Sequence, residues 1–297
     1  MTVLVVMPLF FCSNIIFGRA VAGLVEPFTL AFIRWLLTAL ILLPIVWPQL
    51  RRQRTFVRQN FKHLALLGFL GMWVCGALVY LALNYTTATN GTLIYTSSPV
   101  LIILIEWLFR GRKAGLREAL GVSLALVGVI IIIVKGSLDV LLSLTFNVGD
   151  LIFVGAAVCW AIYSVMLKAE NIAPLQTLPL FMLIAAMGAL LLFPFALVET
   201  IWLQTFPVSV DVWINIAGIV ILASLLAFSS FQYGIKVIGP SLTGIFMYLM
   251  PVYGVSLAVI FLGEELAQFH LWGVMLVLPG VILATWPKRS LQQLQSK

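Results

Sequence analysis

Residues 64–105 contain no charged side chain. Lipid offers the backbone no hydrogen-bond partner, so a run this long and apolar is confined to structures that satisfy their own peptide groups, here helices. One span takes ~20 residues. The stretch therefore holds two spans, divided at the polar run 84–92. The same pattern continues along the 297 residues, which are only 9% charged, against ~25% in soluble domains. The reading is an all-α polytopic membrane protein. No polar stretch is long enough for a soluble domain, the longest candidates being 49–63 and 136–149. Spans are expected at about 2–22, 27–48, 63–84, 89–109, 118–135, 149–168, 175–198, 212–236, 240–261 and 268–287. Gly239–Pro240 separates the eighth from the ninth, because Pro disfavours helix at the residue before it. No basic region precedes the first apolar run, which argues for a spanning helix rather than a cleaved signal peptide.

The chain also repeats itself. At an offset of 152, Pro99–Val100 falls on Pro251–Val252, Gly121–Val122 on Gly273–Val274 and Gly128–Val129–Ile130 on Gly280–Val281–Ile282. Eleven of the 35 pairs from Thr96/Tyr248 to Ile130/Ile282 are identical. Apolar residues match readily by chance, so the weight rests on the one Pro and the Gly residues. Upstream the offset is 147, pairing Cys12 with Cys159 and Pro27 with Pro174. The expected organisation is one transporter domain, 1–297, with repeat one at 1–136, repeat two at 149–287 and a tail at 288–297.

Charge orients the spans. With the N-terminus inside, 14 of 17 Lys and Arg fall on cytoplasmic loops and ends. Arg19, Arg34 and Lys135 are the exceptions. An even helix count, N-in and C-in, follows. Five helices per half is odd, so the two repeats are inverted, the arrangement that underlies alternating access. The net charge of +7 is mostly this orientation signal, and nucleic-acid binding is not expected.

The segments LFFCSNIIFGRAVAGLVEPFTLAFIRWLLTALILLP (first two helices), GTLIYTSSPVLIILIEWLF (helix 4), WAIYSVMLK (helix 6) and LTGIFMYLMPVYGVSLAVIFLGEEL (helix 9) span nearly the whole chain. They resemble the drug/metabolite transporter superfamily in its ten-helix EamA-type branch, with bacterial amino-acid and aromatic-metabolite exporters as the nearest likeness. The resemblance implies a bacterial inner-membrane exporter. It also implies a central cavity surrounded by helices 1, 3, 4, 6, 8 and 9.

Polar side chains inside lipid are costly unless they face protein or a wet cavity. On those six helices the candidate substrate-binding residues are Asn14, Tyr80, Asn84, Tyr95, Ser98, Trp160, Tyr163, Gln232, Tyr233 and Tyr248. The set is aromatic, hydroxylic and amidic, with no charge near mid-span, and suits a small amphipathic solute held by stacking and hydrogen bonds. Interfacial anchoring or helix joining competes for some of them, Asn84 and Gln232 above all. Pro99 and Pro251 are expected as paired gating hinges rather than static kinks. Gly121, Gly128, Gly273 and Gly280 are expected as packing seams. Arg34 has two readings, a ligand for a substrate carboxylate or a partner for helix carbonyls or an acid; its peripheral helix favours the second. Glu106 is expected to pair with Arg110, four residues on, in preference to acting as a proton site.

Absences narrow the class. The small multidrug pumps of this superfamily carry an embedded Glu in helix 1, whereas CSNIIFG here has Asn14. Basic residues on the six helices sit only at their ends, which weakens a sugar-phosphate reading. The spans hold no HExxH, Asp-rich cluster or Ser/His pair, so neither enzyme activity nor a metal or cofactor is expected. The three Cys residues have no metal or disulfide spacing. The expected function is export of small amphipathic metabolites, amino acids above all, with drug efflux or a facilitated uniporter or channel for small metabolites as the alternatives. The partners are the solute and the bilayer, and the expected state is a monomer.

Overall fold

The computed structural model describes residues 2–286 apart from 22, 83, 143–144, 146, 170–171, 173–174, 204–208 and 263–266. The side chains of 15, 19, 88, 89, 258, 261 and 262 also fall outside the description, so Arg19, Glu264, Glu265 and the tail 288–297 do too. The described residues form helices and no strands. We label the long helical runs α1 (Thr2–Val21), α2 (Pro27–Arg52), α3 (Phe61–Ala82), α4 (Ala88–Tyr95 and Ser98–Arg110) and α5 (Leu116–Ile133). The second half follows with α6 (Val148–Met166), α7 (Thr177–Leu203), α8 (Val210–Ile238), α9 (Pro240–Ile245, Phe246–Leu249 and Met250–Leu262) and α10 (Gln268–Thr285). Among the described residues nine are long and apolar enough to cross a membrane, and α1 contributes a shorter apolar stretch, Thr2–Gly18.

The first helix of each half packs mainly on the other half. α1 of the first half packs on α8 and α9 of the second, and α6 of the second half packs on α3 and α4 of the first. α2 pairs with α7, α5 with α10 and α4 with α9. Each pair is made of corresponding helices, so the contacts map onto themselves when the halves are swapped. The α5–α10 seam depends on small residues. A methyl at Gly121 would lie 2.5 Å from the Gly280 carbonyl and from the Ala284 nitrogen, and one at Gly128 would lie 2.6 Å from the Gly273 carbonyl. The backbones are already in contact, as close helix packing in lipid requires.

Two helices in each half depart from α geometry at matching places. α3 is π-helical over Phe69–Leu78 and α8 over Ile219–Leu226. α4 breaks at Thr96–Ser97 and restarts at Ser98; α9 narrows to 3-10 geometry over Phe246–Leu249 and restarts at Met250. Pro99 and Pro251 are the second residues of the restarted segments. Proline has no N–H to give the preceding turn and fits the first turn of a helix, so the chain opens a new segment there instead of kinking an old one. At the break in α4, the Thr96 and Ser97 hydroxyls donate back to the Leu93 and Ile94 carbonyls, each at 2.6 Å.

The two ends of the bundle differ. One end gathers the tips of α2, α4, α6 and α8. There Lys168 Nζ donates to the Lys236 carbonyl at 2.9 Å, Lys236 Nζ to the Leu175 carbonyl at 2.7 Å, and Gln49 to Gln176 at 3.1 Å. The other end is acidic. Glu199 accepts from the backbone of Phe28 and Thr29 at 3.2 and 2.7 Å, capping α2. Asp150 accepts from Thr86, from Asn90 at 3.3 Å and from the Asn147 backbone at 2.8 Å, tying the start of α6 to the 84–90 turn.

Candidate functional site

α1, α3, α6 and α8 bring an aromatic cluster together between the halves. Trp160 lies against Phe231 (centroids 4.8 Å), Tyr163 (5.4 Å), Phe228 (5.7 Å, edge-on) and Phe11 (6.2 Å, edge-on). Tyr163 is fully buried, and its ring presses so closely on α3 that a methyl at Gly71 would meet it at 2.7 Å. Its hydroxyl accepts from Gln232 Nε2 at 3.0 Å. Gln232 Oε1 has no protein partner, and neither do Ser98 Oγ on α4 and Tyr248 Oη on α9, although all three atoms are buried. Buried polar groups in folded proteins nearly always have partners, so three orphans on three neighbouring helices are unmet hydrogen-bonding capacity. Tyr95 stands edge-on to Phe153 at 6.2 Å.

A second cluster adjoins the first through Phe228. Arg34 is 5% exposed. Its Nε donates to Ser224 Oγ at 2.6 Å and one terminal nitrogen donates to the Ala223 carbonyl at 2.9 Å. Both residues belong to the π-helical segment of α8, where the wider turn leaves a carbonyl free for a side chain. The other terminal nitrogen lies 3.4 Å from both Asn14 Oδ1 and Tyr80 Oη, and Tyr80 donates to Asn14 at 2.9 Å. The guanidinium carbon sits 4.5 Å from the Trp35 ring centroid and 5.6 Å from that of Phe228. Every one of these partners is neutral. Among the described residues no carboxylate lies within ion-pair distance of Arg34. A charge held inside a span costs on the order of 2.5–3.5 kcal/mol, which hydrogen bonds and ring contacts offset in part.

The candidate residues divide accordingly. Trp160, Tyr163 and Gln232 are in contact, Asn14 and Tyr80 are in contact beside Arg34, and Ser98, Tyr95 and Tyr248 lie on the flanking α4 and α9. Asn84 and Tyr233 are exposed. α3 ends at Ala82, two residues short of Asn84, which sits in the turn ahead of α4. Glu106 corrects a further expectation. Its carboxylate lies 3.7 Å from Arg112, while Arg110 is exposed. Gly111 ends α4 at φ +65° and turns the chain so that Arg112 swings back under the helix. Arg112 grips Glu118 at 2.9 and 3.0 Å, and Glu106 accepts from both the backbone and the hydroxyl of Ser241 at the start of α9. Phe11, Phe228 and Phe231, absent from the sequence-derived set, complete the aromatic cluster; the 228/231 spacing of one helical turn was their signal. A groove of about 610 Å³ lined by Arg117, Leu124, Pro279, Ile282, Leu283 and Trp286 opens on the outer flank of α5 and α10, away from both clusters.

The pattern that defines the EamA-like transporter family matches residues 1–134 and matches again over 147–286. The chain belongs to the EamA-like transporter family. This family falls within the drug/metabolite transporter superfamily. The EamA-like chain is 29% identical over 271 residues to "Uncharacterized transporter YyaM" of Bacillus subtilis (strain 168), covering 90% of this chain and 87% of that one. It is 28% identical to an "Uncharacterized transporter" of Archaeoglobus fulgidus, covering 93% and 94%. A crystal structure at 20% identity superposes with a TM-score of 0.76 over 95% of both chains, a likeness of fold. This EamA-like chain is therefore a multi-pass membrane transporter.

Proposed function

We propose that this EamA-like transporter sits N-in and C-in in a bacterial inner membrane as a ten-span secondary carrier. In this reading it exports small amphipathic metabolites, amino acids with aromatic side chains foremost, by alternating access between the two halves. The observation that carries the reading is the pairing of a Trp160–Phe228–Phe231 wall with the orphaned Ser98, Gln232 and Tyr248 polar atoms. Aromatic faces with a few convergent polar groups hold a solute that is apolar on one side and hydrogen-bonding on the other. The segment restarts at Pro99 and Pro251, placed symmetrically on the paired α4 and α9, supply the hinges that two related conformations need.

A thermal-shift panel of amino acids and aromatic metabolites on the purified protein, followed by counterflow in proteoliposomes, tests the reading. Saturable, counterflow-stimulated flux of an aromatic amino acid is expected. No counterflow for any amino acid sinks the substrate class. Tyr163→Phe should preserve the packing and remove the Gln232 bond, weakening binding by about 1 kcal/mol, roughly fivefold. Trp160→Ala should lower affinity at least tenfold; unchanged uptake kinetics would remove Trp160 from the site.

A further inference from the structure

We propose that Arg34, with Asn14 and Tyr80, is the subsite that takes the carboxylate of the transported solute. The proposal rests on the reading that the solute travels between the halves, and it names the group by which the solute is recognised.

The guanidinium is held from one side only. Nε and one terminal nitrogen are committed to α8 at 2.6 and 2.9 Å. The remaining terminal nitrogen has the two longest contacts, 3.4 Å each. Both contacts are to half-buried residues, on α1 and α3. Gly18, one turn beyond Asn14, also looks toward Tyr80, where a methyl would sit 4.0 Å from the ring. The cation is thus anchored tightly to α8 of the second half and engaged only loosely by α1 and α3 of the first. A purely structural arginine in an apolar interior would be expected to face an acid or a full set of carbonyls. This one has neutral partners, one of them a single carbonyl.

A carboxylate arriving there would accept from the loosely held terminal nitrogen and from the Tyr80 hydroxyl, which now spends its proton on Asn14. A charged N–H donor and a hydroxyl together make strong hydrogen bonds to such an anion. Asn14 contributes an amide whose orientation can reverse to present its NH₂. Phe11 is one turn from Asn14 on α1 and packs on Phe228 at 5.2 Å, so the carboxylate position opens onto the aromatic wall. A carboxylate at Arg34 with an apolar side chain along Phe228 and Trp160 describes one amphipathic solute bridging both clusters. Because Arg34 grips the π-helical segment of α8, drawing the guanidinium toward a solute would also pull on that segment.

The test uses the purified full chain and three probes: L-phenylalanine, L-phenylalaninamide and phenylacetate. In the native protein the two carboxylates should bind at least tenfold more tightly than the amide. Arg34→Gln should erase that preference. Asn14→Asp is the decisive variant. It places an internal carboxylate against Arg34, so it should raise the melting temperature while abolishing binding of both carboxylate probes. A native protein that binds the amide as well as the acids, or binds no carboxylate up to its solubility limit, overturns the proposal. So does an Asn14→Asp protein that is more stable yet keeps its carboxylate preference. The Trp160→Ala variant keeps the two readings apart. Loss of amide binding there with no carboxylate preference anywhere sinks the Arg34 subsite alone. Carboxylate binding that is lost in Arg34→Gln but is as tight in Trp160→Ala as in the native protein sinks the aromatic wall alone.

Discussion

A carboxylate at position 106 is held by a residue 135 positions away. Glu106 is 6% exposed and accepts from Ser241, while Arg112 bridges it to Glu118. Three acids and bases from α4, the 111–115 turn and α5 thereby fasten the start of α9. Glu106→Ala leaves the Ser241 N–H and hydroxyl without an acceptor in a buried place, which should cost about 1–3 kcal/mol in thermal unfolding. Glu106→Gln keeps an acceptor and should cost less; equal losses would show that the charge rather than the acceptor matters. A charge at 106 is plain in the sequence, and a helical-turn spacing to Arg110 points to the wrong partner. What decides the pairing is the left-handed turn at Gly111, whose direction residue spacing does not encode. The same limit applies at Arg34. A lone cation in an apolar run is conspicuous, but a partner such as the Ala223 carbonyl leaves no mark, since every residue carries one.

Helices are legible to the extent that their causes are side chains. The spans follow from apolar length, and the restarts of α4 and α9 follow from Pro99 and Pro251. The π-helical stretches of α3 and α8 follow from no residue type; they are shifts of backbone register that tertiary contacts hold in place. The sequence places the end of α3 only approximately, because Asn84, Tyr85 and Thr86 are compatible with either a helix end or a turn. The Thr87 hydroxyl, which caps the next helix by accepting from the Asn90 backbone at 3.2 Å, settles it. The glycine seam is the clearest element read from sequence, because close helix contact in lipid needs small residues on one helix face, here two turns apart. Gly121→Val should destabilise the α5–α10 pair by about 1–3 kcal/mol through overpacking. Gly155→Ala, where an added methyl meets nothing within 4 Å, is the control and should melt like the native protein. Equal melting of all three would remove the seam as a determinant of the fold.

At the scale of the molecule, basic residues gather at one end and Glu199 and Asp150 act at the other. In a background with Cys12, Cys75 and Cys159 replaced by Ala, a membrane-impermeant maleimide applied to intact cells should label Leu24→Cys and spare Lys113→Cys. Labelling with the reverse pattern would invert the proposed orientation. The repeat is readable from matched prolines and glycines, and the family pattern matches twice; the proposed inversion rests on loop charges. The exchange of first helices is not readable, because sequence identity between halves says nothing of which half a helix leans on. That exchange bears on synthesis. α1 ends at Val21 and its packing partner α8 begins at Val210, so about 190 residues separate them. At ~5–20 residues per second, α1 waits roughly 10–40 s in the membrane before its seat exists. The first half therefore leaves the ribosome as an open set of helices with a gap where α6 belongs. A chain interrupted between the halves is an orphan subunit rather than a smaller transporter.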